Sequence, residues 1–132
     1  MPSSERDSRL LVKQMAMREH NIQNEIRLWC GQHGLLCFRC NVGKVQCADG
    51  TWFDTGLPEG FSDLIILANG TIYFCEVKTR YGQQREAQKR FQAVVTEHGY
   101  TYFVARSTID VERVILYNNT GGDANGKADI QR

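Results

Sequence analysis

The sequence predicts an α/β domain in which helices cover a mixed β-sheet. Apolar residues recur at helical spacing near the start, in the middle and near the end of the chain. Short runs rich in β-branched and aromatic residues lie between them, and an Asn-Gly pair joins two of these runs. The resulting order of helix, strands, hairpin, helix, strand and helix is typical of an α/β fold.

The first predicted helix runs to about residue 32. Ser4 and Asp7 resemble a capping box, and a stripe of apolar residues follows at helical spacing. The glycines of "GQHG" end the helix. "LLCFRC" then predicts a strand, and the glycine-interrupted segment 41–59 predicts a hairpin or an irregular excursion. The stripe consists of Leu11, Met15, Ile22, Ile26 and Trp29.

Two neighbouring strands are predicted around Asn69-Gly70. "DLIIL" is a continuous apolar run that suits a strand covered on both faces. Asn-Gly is the strongest short hairpin signal, so "IYFCEVK" is expected to return beside "DLIIL". Further along, Ala87, Phe91, Val94 and Val95 form a helical stripe within 84–98. "YTYFVAR" predicts a last strand and "STIDVERVILYNN" a last helix.

The length of 132 residues predicts a single domain. We expect this domain to occupy 1–117. The segment 118–132 is rich in Gly, Asn and Asp, and we expect it to be a mobile C-terminal tail.

Charge and composition place few limits on function. The chain has 16 Lys and Arg against 15 Asp and Glu, so net charge alone does not indicate a nucleic-acid binder. No apolar run is long enough to span a membrane, and the N-terminus is polar rather than signal-like. We therefore expect an intracellular protein, in the cytoplasm or the nucleoid, whose five cysteines are reduced thiols.

The strand "IYFCEVK" ends with an acid and a base on one face, because Glu76 and Lys78 are two residues apart. The Asn-Gly turn brings Asp63, at the start of the preceding strand, level with Glu76. An exposed cross-strand ion pair is the ordinary explanation. However, two carboxylates that meet beside an apolar hairpin repel each other unless a cation compensates them. Mg²⁺ takes one or two such carboxylates as ligands.

These residues resemble the PD-(D/E)XK nucleases, in which an Asp opens one strand and Glu-X-Lys ends the next. Here these are Asp63 and Glu76-Val77-Lys78. Together with Gly60-Phe61-Ser62 and with Gln88 followed by Phe91, they are similar to the VRR-NUC branch of virus-type replication and repair nucleases. The similarity covers about residues 20 to 107. It implies a restriction-endonuclease-like core, and it is compatible with a virus-encoded protein.

The resemblance implies a Mg²⁺- or Mn²⁺-dependent endodeoxyribonuclease. Asp63, Glu76 and the main-chain carbonyl of Val77 would hold the metal. Lys78 would orient or help to deprotonate the attacking water and stabilise the transition state.

Two further site residues are implied by the same resemblance. Family members carry an acidic residue on the first helix that reaches the metal through water, and Glu25 is the candidate here. They also carry a Gln beside the catalytic cluster, and Gln88 matches it. Ordinary surface positions remain the alternative for both side chains.

The expected partner is DNA, bound through its backbone by a set of polar and basic residues. The solvated face of an ordinary helix is the alternative explanation for the basic residues among them. Stand-alone members of the resembling branch are associated with cutting four-way junctions as dimers, in the manner of Holliday-junction resolvases. A homodimer acting on branched DNA is therefore expected, with no further domain to supply substrate choice. The backbone-contacting candidates are Arg39, Asn41, Arg80, Arg85 and Lys89.

Two other functions compete with this interpretation. Cys37-X-X-Cys40, with Cys30, His33 and Cys47 nearby, could bind a structural zinc ion in a binding module. Against it, Cys37 and Cys40 fall inside a predicted strand and no second C-X-X-C is present. The other alternative is a catalytically silent protein that only binds nucleic acid.

Overall fold

The computed structural model describes residues 2–124, which form three helices and six strands in the predicted order. The predicted α/β class is confirmed, and each element lies within a few residues of its expected bounds. The elements are α1 (Pro2–Gln32), β1 (Leu36–Arg39), β2 (Lys44–Gln46), β3 (Trp52–Asp54), β4 (Leu64–Ala68), β5 (Thr71–Val77), α2 (Glu86–Glu97), β6 (Thr101–Ala105) and α3 (Thr108–Ala124).

The main sheet is mixed and has the strand order β1-β4-β5-β6. β1 and β5 both pair antiparallel with β4, whereas β6 pairs parallel with β5 because α2 forms the crossover between them. The β4–β5 turn has Asn69 at φ 53° and Gly70 at φ 74°, as a two-residue turn of this type requires. The Asn69 side chain also donates to the carbonyl of Ile115, which ties this turn to α3.

The two faces of β5 have different partners. Tyr73, Cys75 and Val77 are buried in the main core, which α1 and α3 complete with Ile26, Cys30, Val111 and Ile115. Phe74 lies on the opposite face and contacts Phe91 of α2. Because side chains alternate along a strand, Glu76 shares the α2 face with Phe74. The fold therefore places the Glu76 carboxylate beneath α2, away from the main core.

β2 and β3 form a separate two-stranded sheet. The segment 41–59, expected to be a hairpin or an irregular excursion, is therefore a hairpin. Asp49 accepts hydrogen bonds from the backbone and hydroxyl of Thr51, and Asp54 accepts one from the backbone N–H of Gly56, so both acids stabilise turns.

Helix α3 continues to Ala124, which brings part of the segment 118–132 into a helix. The remainder of the expected tail, 125–132, lies outside the described residues. No helix among residues 2–124 combines the length and apolar character needed to cross a bilayer.

Candidate active site

Asp63 and Glu76 meet across the β4–β5 hairpin. The strand register pairs Leu64 with Cys75, so the next rung brings Asp63 beside Glu76 on the α2 face. Their carboxyl groups lie within hydrogen-bonding range of each other. The backbone N–H of Val77 also donates to Asp63 Oδ2 at 2.8 Å, which fixes the orientation of that carboxylate.

Lys78 lies beside this carboxylate pair. Its Nζ is 3.5 Å from Glu76 Oε2, and only 10% of the Lys78 side chain and 3% of the Glu76 side chain are exposed. The backbone N–H of Lys78 donates to the carbonyl of Ala105, so the residue extends the β5–β6 ladder by one rung. The exposed ion pair considered as the ordinary explanation is thus a buried one.

Gln88 reaches the same carboxylate from α2. It is 3% exposed, and its Nε2 donates to Glu76 Oε2 at 2.5 Å. Its Oε1 accepts the backbone N–H of Arg85 at 2.8 Å, an N-terminal capping bond of α2. Because both ends of the amide are bonded, the helix start and the Glu76 carboxylate are held in one geometry.

The segment before Asp63 is packed tightly against α2. Gly60 has φ 90°, and a Cβ at this position would overlap the carbonyl of Ala87. The ring of Phe61 lies 5.6 Å from that of Phe74 and 5.0 Å from that of Phe91. Only glycine therefore allows this loop to approach the helix that carries Gln88.

Burial raises the pKa of both carboxyl groups, and the neighbouring positive charge does not fully offset this effect. Desolvation, followed by the charge of Asp63, raises the pKa of Glu76 from 4.5 to about 8, although Lys78 acts in the opposite direction. Desolvation also raises the pKa of Asp63, against the lowering effects of the Val77 hydrogen bond and of Lys78. A site that retains these carboxylates as anions at neutral pH needs a further cation.

The donor set fits a hard divalent cation. Two adjacent carboxylates and a neighbouring main-chain carbonyl are oxygen ligands of the kind that Mg²⁺ and Mn²⁺ prefer, and Mg²⁺ needs no more than one or two carboxylates. Of these ligands, Asp63 lines a cavity of about 390 Å³, together with residues that include Gln88, Lys44 and Arg85. The cavity leaves room for water and a phosphate group beside such an ion.

The structure does not bring Glu25 to the carboxylate pair. Glu25 is exposed and has no contact with the carboxylate pair, whereas the partly buried Glu19 lies within electrostatic range of Asp63 and Lys78. Burial raises the pKa of Glu19, while Lys78 lowers it. At 100° per residue, the two acids flank Ile22 on opposite sides of the helix. Helical periodicity alone does not tell which side faces the strand ends.

A buried amide lies one helical turn after Glu19. Gln23 Oε1 is a buried side-chain acceptor without a hydrogen-bond partner within residues 2–124. Since residues four apart share a helix face, Gln23 and Glu19 point in the same general direction.

Sequence reasoning also missed two residues that support the site. The Tyr102 hydroxyl lies 3.5 Å from Glu76 Oε1 and 3.2 Å from the carbonyl of Gly60. Burial and the charge of Glu76 raise the pKa of Tyr102, so it remains a protonated donor. The parallel register of β5 and β6 pairs Tyr102 with Phe74, so the two side chains share one face of the sheet. This shared face was the signal that could have identified Tyr102.

Arg106 is the second of these residues. Its Nη1 donates to the carbonyls of Thr79, Arg80 and Gly82 at 2.6, 3.3 and 2.8 Å. Arg106 therefore organises the loop that follows Lys78. A basic residue at the end of "YTYFVAR" gave no indication of this role, because the loop is distant in sequence.

The candidate DNA-contacting residues are all exposed but are not equally close to the pair. Arg85 lines the cavity and acts electrostatically on Asp63. Lys89 pairs with Glu86 at 3.7 Å on the solvent side of α2, and Arg80 lies 5.5 Å from the centre of the Tyr81 ring. Arg39 is the last residue of β1, and Asn41 lies two residues after it. Between them, the backbone N–H of Cys40 donates to the Asp63 carbonyl.

The cysteines do not form the zinc site considered above. Cys30 and Cys37 are hydrogen-bonded to each other between α1 and β1, whereas Cys47 is exposed in the β2–β3 hairpin. In the part of the chain that the structure describes, no group of three or more His, Cys, Asp and Glu residues is placed to hold a metal ion. All five thiols are free.

Comparisons with known proteins identify a family and a similar fold. Residues 17–109 match the VRR-NUC domain family. A solved structure described as a VRR_NUC domain superposes with a TM-score of 0.55 at 22% identity, covering 76% of this chain and 96% of that one. No curated protein matches the chain. At this identity the structural likeness supports the fold, and the matched family extends over every element from β1 to β6.

Proposed function

We propose that this chain is a divalent-metal-dependent DNA endonuclease selective for branched structures, because it belongs to the VRR-NUC family, whose members are nucleases of the PD-(D/E)XK type. Four-way junctions are the leading substrate. The observation that carries the proposal is the convergence of Asp63, Glu76 and Lys78 at the end of one hairpin, with Gln88 bonded to Glu76. The proposed setting is intracellular, where the free thiols stay reduced.

In this proposal Asp63, Glu76 and the Val77 carbonyl hold Mg²⁺ or Mn²⁺. When bound there, the ion would supply Lewis-acid chemistry, which lowers the pKa of bound water and neutralises charge on the scissile phosphate. The protein positions the ligands: Val77 N–H fixes Asp63, and Gln88 fixes Glu76. The Tyr102 hydroxyl donates a second hydrogen bond to Glu76. Such supporting contacts set the orientation of metal ligands.

Lys78 provides the positive charge on the reacting side. Its ammonium group is buried 3.5 Å from Glu76 and can donate to an attacking water and to a non-bridging phosphate oxygen. Glu19 lies within electrostatic range of Lys78 and offers an acceptor for the outer water shell on the side of α1. Glu19 thus takes over the role expected for Glu25.

DNA backbone contacts are assigned to the exposed basic residues around the cavity. Arg85 is placed to meet a phosphate next to the metal, because it lines the cavity beside Asp63. Arg39, Asn41, Arg80 and Lys89 would extend this contact and read shape rather than sequence. A junction needs two symmetric nicks, and a two-fold homodimer supplies one site for each.

The test is a cleavage panel with purified protein and Mg²⁺ or Mn²⁺. Four-way, flapped and linear DNA of matched sequence are compared for wild type, Asp63→Ala, Lys78→Ala and the exposed control Glu112→Ala. We expect metal-dependent cleavage that favours branched DNA, abolished in the first two variants and retained in the control. Cleavage that survives Asp63→Ala and Lys78→Ala would refute the site, and metal-independent binding without cleavage would indicate a silent binder.

A further inference from the structure

Trp52 is a large aromatic side chain that is mostly exposed. It is 64% exposed on β3, in a two-stranded hairpin that is separate from the main sheet. Among residues 2–124, its indole ring contacts no other ring and its N–H donates no hydrogen bond. Tryptophan usually satisfies both requirements when it serves packing. Its exposure on this hairpin leaves the faces of the indole ring free to meet a ligand.

The strand register shows which face of the hairpin Trp52 occupies. Gln46 lies opposite Trp52, Val45 opposite Phe53, and Lys44 opposite Asp54. Because neighbouring residues point to opposite faces, Trp52 shares its face with Lys44, whereas Phe53 lies on the other face. Lys44 lines the cavity that contains Asp63. Trp52 therefore follows the cavity-lining side of the hairpin, two residues or about 7 Å further along it.

The aromatic ring of Trp52 favours a base over a phosphate as the ligand of this face. Both hairpin acids, Asp49 and Asp54, are engaged with turn groups, and Lys44 is the hairpin's basic residue at the cavity. A broad π-surface next to a site that handles phosphodiesters matches the stacking surfaces of proteins that bind single-stranded nucleic acid. A base pair inside a duplex is stacked on both faces, whereas an unpaired base has a free face to offer.

We propose that Trp52 stacks on an unpaired nucleobase of the DNA strand that enters the Asp63 cavity. The inference rests on the proposed function for the identity of the ligand as DNA. It adds a substrate requirement, namely at least one unpaired or splayed nucleotide about 7 Å beyond the cavity-lining part of the hairpin. Fully paired duplex would lack this contact away from its ends.

The experiment measures binding without cleavage, using the full-length chain in EDTA. The probes are a forked duplex with unpaired arms and a blunt, fully paired duplex of the same length. We expect the fork to quench tryptophan fluorescence more than the blunt duplex does. Trp52→Leu should weaken fork binding about ten-fold, the scale of one lost base stack, and leave blunt-duplex binding within about two-fold.

Two variants serve as controls. Phe53→Leu alters a ring that is equally exposed, at 60%, on the opposite face of the same hairpin, and it should change neither affinity. Trp52→Phe keeps a stacking ring but removes the indole, so the fork affinity should be largely retained while the quench disappears. The Trp52→Phe result keeps the inference testable if Trp52→Leu fails to fold.

Three results of the DNA-binding measurements would overturn the inference. These are an equal loss of fork and blunt-duplex binding in Trp52→Leu, an equal loss in Phe53→Leu, and an unchanged quench in Trp52→Phe. A shift from dimer to monomer in Trp52→Leu, seen by sedimentation equilibrium, would assign the ring to a second copy of the chain instead. Because no cleavage is required, failure of the nuclease proposal in the cleavage panel is distinguishable from failure here.

Discussion

Gln88 Nε2 donates a hydrogen bond to Glu76 Oε2 at 2.5 Å, and this bond joins the start of α2 to the end of β5. The same amide accepts the N–H of Arg85, so the helix cap and the candidate metal ligand share one side chain. A residue in this position can orient a carboxylate without touching the substrate. Gln88 is therefore a positioning residue in the proposed site.

Gln88→Ala should lower cleavage and metal affinity about 10- to 100-fold, the usual effect of removing a group that orients a metal ligand. The measurement is the metal concentration that gives half-maximal cleavage, together with the maximal rate. Gln92→Ala is the matched control, because Gln92 lies one turn further along α2 and bonds to Gln84 and to the Tyr102 carbonyl rather than to Glu76. Equal effects of both substitutions would indicate a general loss of helix stability.

The two acids of α1 make a paired prediction. Glu19→Gln should reduce the cleavage rate at limiting Mg²⁺, because Glu19 lies within electrostatic range of Asp63 and Lys78. Glu25→Gln should leave it unchanged, because Glu25 is exposed away from the pair. The comparison is made in single-turnover assays over a range of Mg²⁺ concentrations. A larger effect of Glu25→Gln would support the assignment made from the sequence and contradict the role inferred from the position of Glu19.

These two positions also show where sequence reasoning reached its limit. The Asn69-Gly70 turn fixed the β4–β5 register locally, so Asp63, Glu76 and Lys78 could be brought together from the sequence. The rotation of α1 about its axis depends instead on packing against distant strands, and in the structure it leaves Glu25 exposed and Glu19 partly buried. Tyr102 and Arg106 were missed for the same reason, because the parallel β5–β6 pairing is a long-range contact.

Metal-free stability should fall as pH rises. The pKa of Glu76 is about 8 in the folded protein and 4.5 in the reference state, so the folded state holds this proton more tightly. The stabilising contribution is therefore complete below about pH 4.5 and is lost as the pH rises through about 8. Thermal melts in EDTA should show this decline, and it should be smaller in Glu76→Gln.

Added Mg²⁺ should raise the melting temperature more at high pH than at low pH, because the ion binds the deprotonated carboxylates. Wild type and Glu76→Gln are compared at each pH, so that titration of other groups cancels. A melting temperature in EDTA that rises with pH equally in both proteins would contradict the burial of Glu76.

Gly60→Ala should destabilise the fold more than Gly50→Ala. Both glycines have φ near 90°, so an L-residue costs about 1–2 kcal/mol of backbone strain at either position. At Gly60 the added Cβ would also overlap the Ala87 carbonyl, whereas at Gly50 no atom lies within 4 Å. Urea unfolding measures both free energies. Equal losses would show that the loop does not press on α2.

The central claim is that Asp63, Glu76 and the Val77 carbonyl bind one divalent cation. The most direct measurement is a crystal structure of the protein grown with Mn²⁺, with anomalous diffraction data to locate the ion. The account predicts one strong anomalous peak within bonding distance of both carboxylates, and loss of this peak in Asp63→Ala. A peak bound elsewhere, or none beside these carboxylates at saturating Mn²⁺, would contradict it.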